Sequence, residues 1–191
     1  MKRFSACFIF LLFAGISLQA QVRTTWYPGG QQKASEGMLL GADPVVFTPG
    51  FSGLPKDVQA DKMASAVKDG KWTYWFENGK LSSEEEYSQG KMTGTWRSFQ
   101  PDGKKVFEID FSSGKAEYYH ADGSLESEGL MLPGMLQHGT WKGYYPNGKL
   151  NYTGAFVNGK KDGIWVFYDE SGKKFVEQVF KAGQLESSRK L

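Results

Sequence analysis

From residue 69 onward, large apolar residues stand at fixed distances from a regular series of glycines, with polar residues alternating between them. Glycines at 79, 103, 123, 148 and 172 are each followed 11 residues later by another, at 90, 114, 134, 159 and 183. Seven residues before the first glycine of each pair stand Trp72, Trp96, Ala116, Trp141 and Trp165. Four before it stand Trp75, Phe99, Tyr119, Tyr144 and Tyr168, and eight after it Tyr87, Phe111, Met131, Phe156 and Phe180. A period near 24 residues with this agreement is the mark of a repeat array. Asn78, Asp102, Asp122, Asn147 or Ser171 precedes each turn glycine, and Asn-Gly or Asp-Gly between alternating apolar runs predicts a two-residue hairpin turn. That turn sets Glu77 opposite Lys80 and Trp72 opposite Glu85.

Alternation from this register separates two faces. One, the predicted core face, collects Trp72, Tyr74, Phe76, Leu81 and Tyr87 in the first of these units and Trp141, Tyr145, Leu150, Tyr152 and Phe156 in the fourth. The other is polar, with Phe175 and Val179 as late exceptions, and carries one column of rings: Trp75, Phe99, Tyr119, Tyr144 and Tyr168. The predicted fold is all-β, a single elongated, twisted antiparallel meander of tandem hairpins. Its apolar face needs a cover, which curling of the sheet, the 42–68 stretch or a partner molecule would supply. The expected organisation is a signal peptide at 1–20, a degenerate first repeat at 21–41, an irregular insertion at 42–68 with a short helix within 57–67, five repeats at 69–185 and a fraying polar tail at 186–191. In the third unit the link is four residues shorter and Ala116 replaces Trp, so a local kink is expected there.

The amino terminus changes the picture by compartment. Met1-Lys2-Arg3, an apolar run over 4–18 and Gln19-Ala20-Gln21 follow the order of a secretory signal peptide, which predicts an exported protein: periplasmic, on the outer surface, or secreted. Cleavage after Ala20 would remove Cys7, the single cysteine, and leave no disulfide or thiolate ligand. It would also remove two of the 23 basic residues, leaving 21 against 21 acidic, a balance that argues against nucleic acid and acidic lipid as partners.

Candidate chemistry is sparse, and no cofactor or metal motif stands out. The two histidines, His120 and His138, lie in different contexts, His120 in the place that Phe76 and Tyr145 hold in other units. Gly50-Phe51-Ser52-Gly53-Leu54 lacks the final glycine of a nucleophile elbow. Glu84-Glu85-Glu86 alternates faces on a strand, and glutamates recur at 108, 128 and 177 beside Lys80, Lys104, Lys149 and Lys173, which reads as a cross-strand charge pattern. A catalytic site would require Ser52, His120 and the Glu84 cluster to converge.

Gly-x-Trp, an aromatic residue three positions on, Asn/Asp-Gly-Lys, a further aromatic and Asn-Gly-Lys, as at 139–160 and 162–173, resemble the bacterial variant of the MORN repeat. The resemblance covers roughly 69–185, with a weaker copy at 26–41. It implies a β-hairpin array. Many such proteins are labelled antitoxin-like, of YwqK type, and eukaryotic relatives are associated with membrane lipids, scaffolding and self-association. The leading expectation is a non-enzymatic exported scaffold that binds a protein, or itself, through the sheet. Alternatives are an envelope carbohydrate-binding module and an antitoxin-like partner of a toxin. The candidate binding surface is the column Trp75, Phe99, Tyr119, Tyr144 and Tyr168.

Overall fold

The computed structural model describes residues 20–27, 33–40 and 67–191. The signal peptide through residue 19, Cys7, Ser52 and most of the 42–68 insertion, including the expected helix up to residue 66, lie outside the described residues. Thirteen strands form one antiparallel sheet in sequence order. They are β1 Ala20–Trp26, β2 Lys33–Leu40, β3 Val67–Trp75, β4 Leu81–Ser88, β5 Lys91–Phe99, β6 Lys105–Asp110 and β7 Lys115–Tyr119. The series continues with β8 Leu125–Leu132, β9 Leu136–Tyr144, β10 Leu150–Val157, β11 Lys160–Tyr168, β12 Lys174–Lys181 and β13 Gln184–Lys190. Each strand packs chiefly on its neighbours in the chain, and no helix occurs among the described residues. The all-β hairpin array predicted from the sequence is therefore the fold.

The turns differ from expectation. At each first glycine the loop has three residues: Gly79 N–H donates to the Phe76 carbonyl at 2.9 Å and Phe76 N–H to the Lys80 carbonyl at 2.8 Å, so Glu77 lies in the loop rather than opposite Lys80. Only the glycine has positive φ, 81° at Gly79. Asn78 serves by its side chain, whose Oδ1 accepts the Lys80 N–H at 3.0 Å, as Asp102 and Asn147 do for Lys104 and Lys149. The two-residue turns with both positions at positive φ sit at second glycines instead: Gln89-Gly90, Asn158-Gly159 and Ala182-Gly183.

The longer loop does not exchange the two faces, because a bulge beside it restores the register. Trp75 pairs with Leu81, then Tyr74 with Ser83, leaving Ser82 unopposed, and Trp72 faces Glu85 as expected. Within the bulge the register does reassign the first residue after the turn. Leu81 and Leu150, expected on the core face, stand opposite Trp75 and Tyr144 and belong to the side of the ring column.

The core is a relay of indoles across the bulged joints between hairpins. Thr153 pairs with Val166 and Ala155 with Asp162, so Gly163-Ile164-Trp165 together oppose the single residue Gly154. The same interruption places Gly70 to Trp72 opposite Gly37, Gly94 to Trp96 opposite Glu85, and Gly139 to Trp141 opposite Gly129. Each of these motifs opens on a glycine with φ between 56° and 72°, which lets the tryptophan tip back over the preceding strand. Its indole N–H donates to the carbonyl just past the opposed residue: Trp72 to Met38, Trp96 to Glu86, Trp141 to Leu130 and Trp165 to Ala155, at 2.8–3.1 Å. A Cβ on Gly37, Gly129 or Gly154 would fall inside the ring that lies over it.

Rings from neighbouring strands fill the remaining space. Tyr87, Trp96 and Phe111 form one contact series; Phe107, Tyr118, Trp141, Phe156 and Trp165 form another. The four tryptophans of the clasps are only 0–7% exposed, and rings of neighbouring strands lie against Trp96, Trp141 and Trp165. Val67 and Lys68, assigned to the insertion from sequence, open β3.

Two further expectations are corrected. The third link is regular: β6 and β7 pair without a register shift from Phe107↔Tyr118 to Asp110↔Lys115. With no tryptophan to tip back, no bulge forms, and Ala116 packs with Ile109, Met131 and Trp141 in the tightest cluster of buried residues. The polar tail does not fray, since Gln184–Lys190 pairs with β12. We expect Trp141→Ala to cost about 3–5 kcal/mol in urea denaturation. Gly154→Ala, which adds one carbon beneath Trp165, should cost about 1–3 kcal/mol or more; an unchanged midpoint for the glycine variant would refute the clasp.

Candidate functional site

The ring column stands on the face opposite the tryptophan clasps. Neighbouring hairpins set its members two strands apart, or roughly 10 Å at about 4.8 Å per strand. Trp75, Phe99, Tyr119, Tyr144 and Tyr168 are all half-buried. Trp26, which pairs with Lys33 as Trp75 pairs with Leu81, holds the same place in the first hairpin and is 51% exposed. It was not among the candidates chosen from sequence, although Trp26 stands four residues before Gly30 and the signal was there to be read.

Charged groups fix the rings. The Tyr119 hydroxyl donates to Glu117 at 2.8 Å and the Tyr144 hydroxyl to Glu128 at 2.6 Å. Burial and the adjacent carboxylate push both phenols up to about 12, so they remain hydrogen-bond donors at neutral pH. Lys33, Lys105 and Lys174 place their ammonium groups 5.8, 5.1 and 6.0 Å from the ring centroids of Trp75, Tyr119 and Tyr168.

The glutamate row runs between the columns, with partners other than those expected. Glu84 pairs with Lys71 at 2.5 Å and Arg97 at 3.6 Å, Glu108 with Arg97 at 3.1 Å and Lys105 at 2.6 Å, Glu117 with Lys115 at 2.6 Å, and Glu177 with Arg189 at 3.2 Å. The turn lysines reach along the sheet edge instead. Lys80, Lys104 and Lys149 donate to the carbonyls of Asp102, Ala121 and Glu170 in the next turn, because the residue after a left-handed glycine projects past the hairpin end. Tyr27, His120 and Tyr145 stitch the same edge, each bonding the carbonyl of the next ring-column residue: Trp75, Tyr144 and Tyr168 at 2.7–2.9 Å.

These contacts occupy His120 and Glu84, two of the residues considered for catalysis. His120 follows β7 and bonds the Tyr144 carbonyl, whereas Glu84 lies on β4 in its ion pairs, so the two do not converge. His138 is on β9, opposite Leu130. A shallow depression of about 160 Å³ lies between Thr95, Glu108, Asp110, Lys115 and Glu117. Its Asp110 carboxyl is drawn down to about 2 by the Ser112 and Ser113 hydroxyls and the Ser112 backbone N–H. Among the described residues no group of three or more His, Cys, Asp or Glu side chains is placed to hold a metal, and no helix is long and apolar enough to cross a membrane.

The carboxylate row gives a pH dependence. Hydrogen bonds from Lys105, then Arg97, hold Glu108 below its ordinary value of 4.5 despite partial burial. A carboxyl depressed in the folded state stabilises fully above its unfolded value, and the contribution is lost as pH falls from 4.5 through the folded one. Between about pH 6 and about pH 3, the melting temperature of Glu108→Gln should therefore fall less than that of the unmodified protein; parallel declines would contradict the assignment.

A comparison with curated proteins found no match. The family model described as MORN repeat variant matches the chain at residues 68–89, 112–131, 137–158 and 161–182. Residues 90–111 lie between matches, yet β5 and β6 set Trp96 and Phe99 in the same clasp and column positions as their counterparts. MORN repeats are typically scaffolds that bind proteins or membranes, and they are not a catalytic family. In four stretches from β3 to β12, the chain is similar to the MORN repeat variant.

Proposed function

We propose that this protein is an exported, non-enzymatic repeat scaffold that binds a partner protein through the ring column of its polar face. The observation that carries the reading is the segregation of the rings. The tryptophans of the clasps are consumed by the core, whereas Trp75, Phe99, Tyr119, Tyr144 and Tyr168 stand half-exposed on the other side at one per hairpin. With lysine or glutamate against Trp75, Tyr119, Tyr144 and Tyr168, they present amphipathic surfaces of the kind enriched at interaction hot spots. Leu81, Leu125 and Leu150, opposite Trp75, Tyr119 and Tyr144, widen each ring into an apolar step between charged rows. Export rests on the basic, apolar and polar order of the first 21 residues.

Flat rings with polar rims at regular spacing also favour a second reading, an envelope carbohydrate-binding module. The two separate by experiment. Replacement of Tyr119, Tyr144 and Tyr168 by Ala should preserve the strand circular dichroism and lower affinity for a captured envelope protein at least about tenfold. Unchanged capture would exclude this face. Glycan-array binding lost in the same variant, with no protein captured, would transfer the assignment to the carbohydrate reading.

A further inference from the structure

Lys68 of β3 and Lys161 of β11 hold the same place in their repeats, four residues before Trp72 and Trp165. Both ammonium groups lie on the core face among rings. Lys68 Nζ is 5.1, 5.1 and 4.8 Å from the ring centroids of Trp72, Tyr74 and Tyr87. Lys161 Nζ is 4.2, 5.8 and 4.9 Å from those of Trp165, Phe167 and Phe180.

Their polar surroundings differ. Lys68 donates to Glu85 at 2.8 Å and to the hydroxyls of Tyr74 at 2.5 Å and Tyr87 at 3.2 Å, while Tyr87 donates in turn to Glu85. At Lys161 the corresponding residues are Gln178 for Glu85, Phe167 for Tyr74 and Phe180 for Tyr87. The register confirms the correspondence, since Gln178 faces Trp165 as Glu85 faces Trp72. Each oxygen that receives the Lys68 ammonium is thus removed or made neutral at Lys161, while the lysine and its ring walls are kept. Among the described residues the Lys161 ammonium has no hydrogen bond or ion pair. Burial opposes the charge at both sites; at Lys68 the bonds to Glu85 and the two tyrosines override it and raise the pKa, and at Lys161 burial alone lowers it.

The end of the array brings no indole to this place, where Ser188 of β13 faces Gln178. In three joints an indole from the next strand lies over the glycine in register with Gln178: Trp72 over Gly37, Trp141 over Gly129 and Trp165 over Gly154. On β13 Arg189 pairs with Glu177, as Arg97 pairs with Glu84, and its guanidinium goes to that carboxylate. Lys161, Gln178 and Phe180 stay half-buried.

We propose that Lys161 is the receptor for an acidic side chain of the partner protein. The incoming carboxylate takes the role that Glu85 plays for Lys68, with its aliphatic stem against Phe167 and Phe180. This assignment rests on the scaffold reading and names a contact on the opposite face from the ring column. Charge complementarity and the internal Lys68–Glu85 pair fix the chemistry as carboxylate.

The test uses the full chain and a capped Leu-Glu-Leu peptide, with capped Leu-Gln-Leu and acetate as comparisons, followed by the indole N–H resonance of Trp165. The Glu peptide should give a saturable shift at least about tenfold tighter than the Gln peptide or acetate. Lys161→Met should abolish it. Gln178→Glu should also abolish it, by supplying the carboxylate from within, and should raise the titration midpoint of Lys161. Equal binding of the Gln peptide, equal binding of acetate, or a shift that persists in Gln178→Glu would overturn the proposal. Because no captured partner is involved, the result is independent of the tyrosine pull-down: the receptor can fail while the scaffold reading stands, and the reverse.

Discussion

The sheet depends on one contact repeated along its length, an indole laid over a residue of the preceding hairpin with its N–H on the next carbonyl. Hairpins of this size are marginal alone, since two strands have too little apolar surface to offset their ordering. The clasp solves this within the sheet. Two extra residues at the joint tilt Trp72, Trp96, Trp141 or Trp165 out of the pleat and down onto its neighbour, so a ring that would stand in solvent becomes part of the sheet's own cover. Among the described residues, the apolar centre of the core face is therefore closed by indoles and rings of the sheet itself.

That closure divides the work between faces. The core face is committed to joining hairpins, and its variation is structural, as where Ala116 removes both the indole and the bulge and Trp141 fills the gap from the next joint. The polar face makes few contributions to the joints beyond ion pairs that are half-exposed and worth little singly. Its rings are consequently free to be selected for recognition. The same division breaks down at the carboxyl-terminal end, where the last core positions have no following indole and Lys161 keeps a charge among rings.

Much of this was legible in the glycine spacing. The hairpin count from β3 onward, the pairing of Trp72 with Glu85 and the placement of Tyr119, Tyr144 and Tyr168 away from the clasps all follow from alternation and period. The turn type is not legible because Asn-Gly serves two loop types, and only the hydrogen bond from Lys80 N–H to Asn78 Oδ1 distinguishes a side-chain cap from a left-handed asparagine. Alternation misplaces Leu81 and Leu150 for a related reason: a bulge adds a residue without leaving a composition signal. The role of Gly-x-Trp was hidden because the indole's partner, Gly154 or Gly129, belongs to the preceding unit. Polarity alone suggests a frayed tail, whereas Gln184–Lys190 is bound through its backbone.

Because strands pack chiefly on their sequence neighbours, the free energy of the array is close to a sum over joints. Damage in such a chain stays where it is made. A lost clasp weakens the hairpins on either side of it but leaves distant ones with their own bulge, ring and carbonyl intact. A protein built this way can accept a poor unit, as it has at Ala116, and can open at one end while the middle keeps its shape.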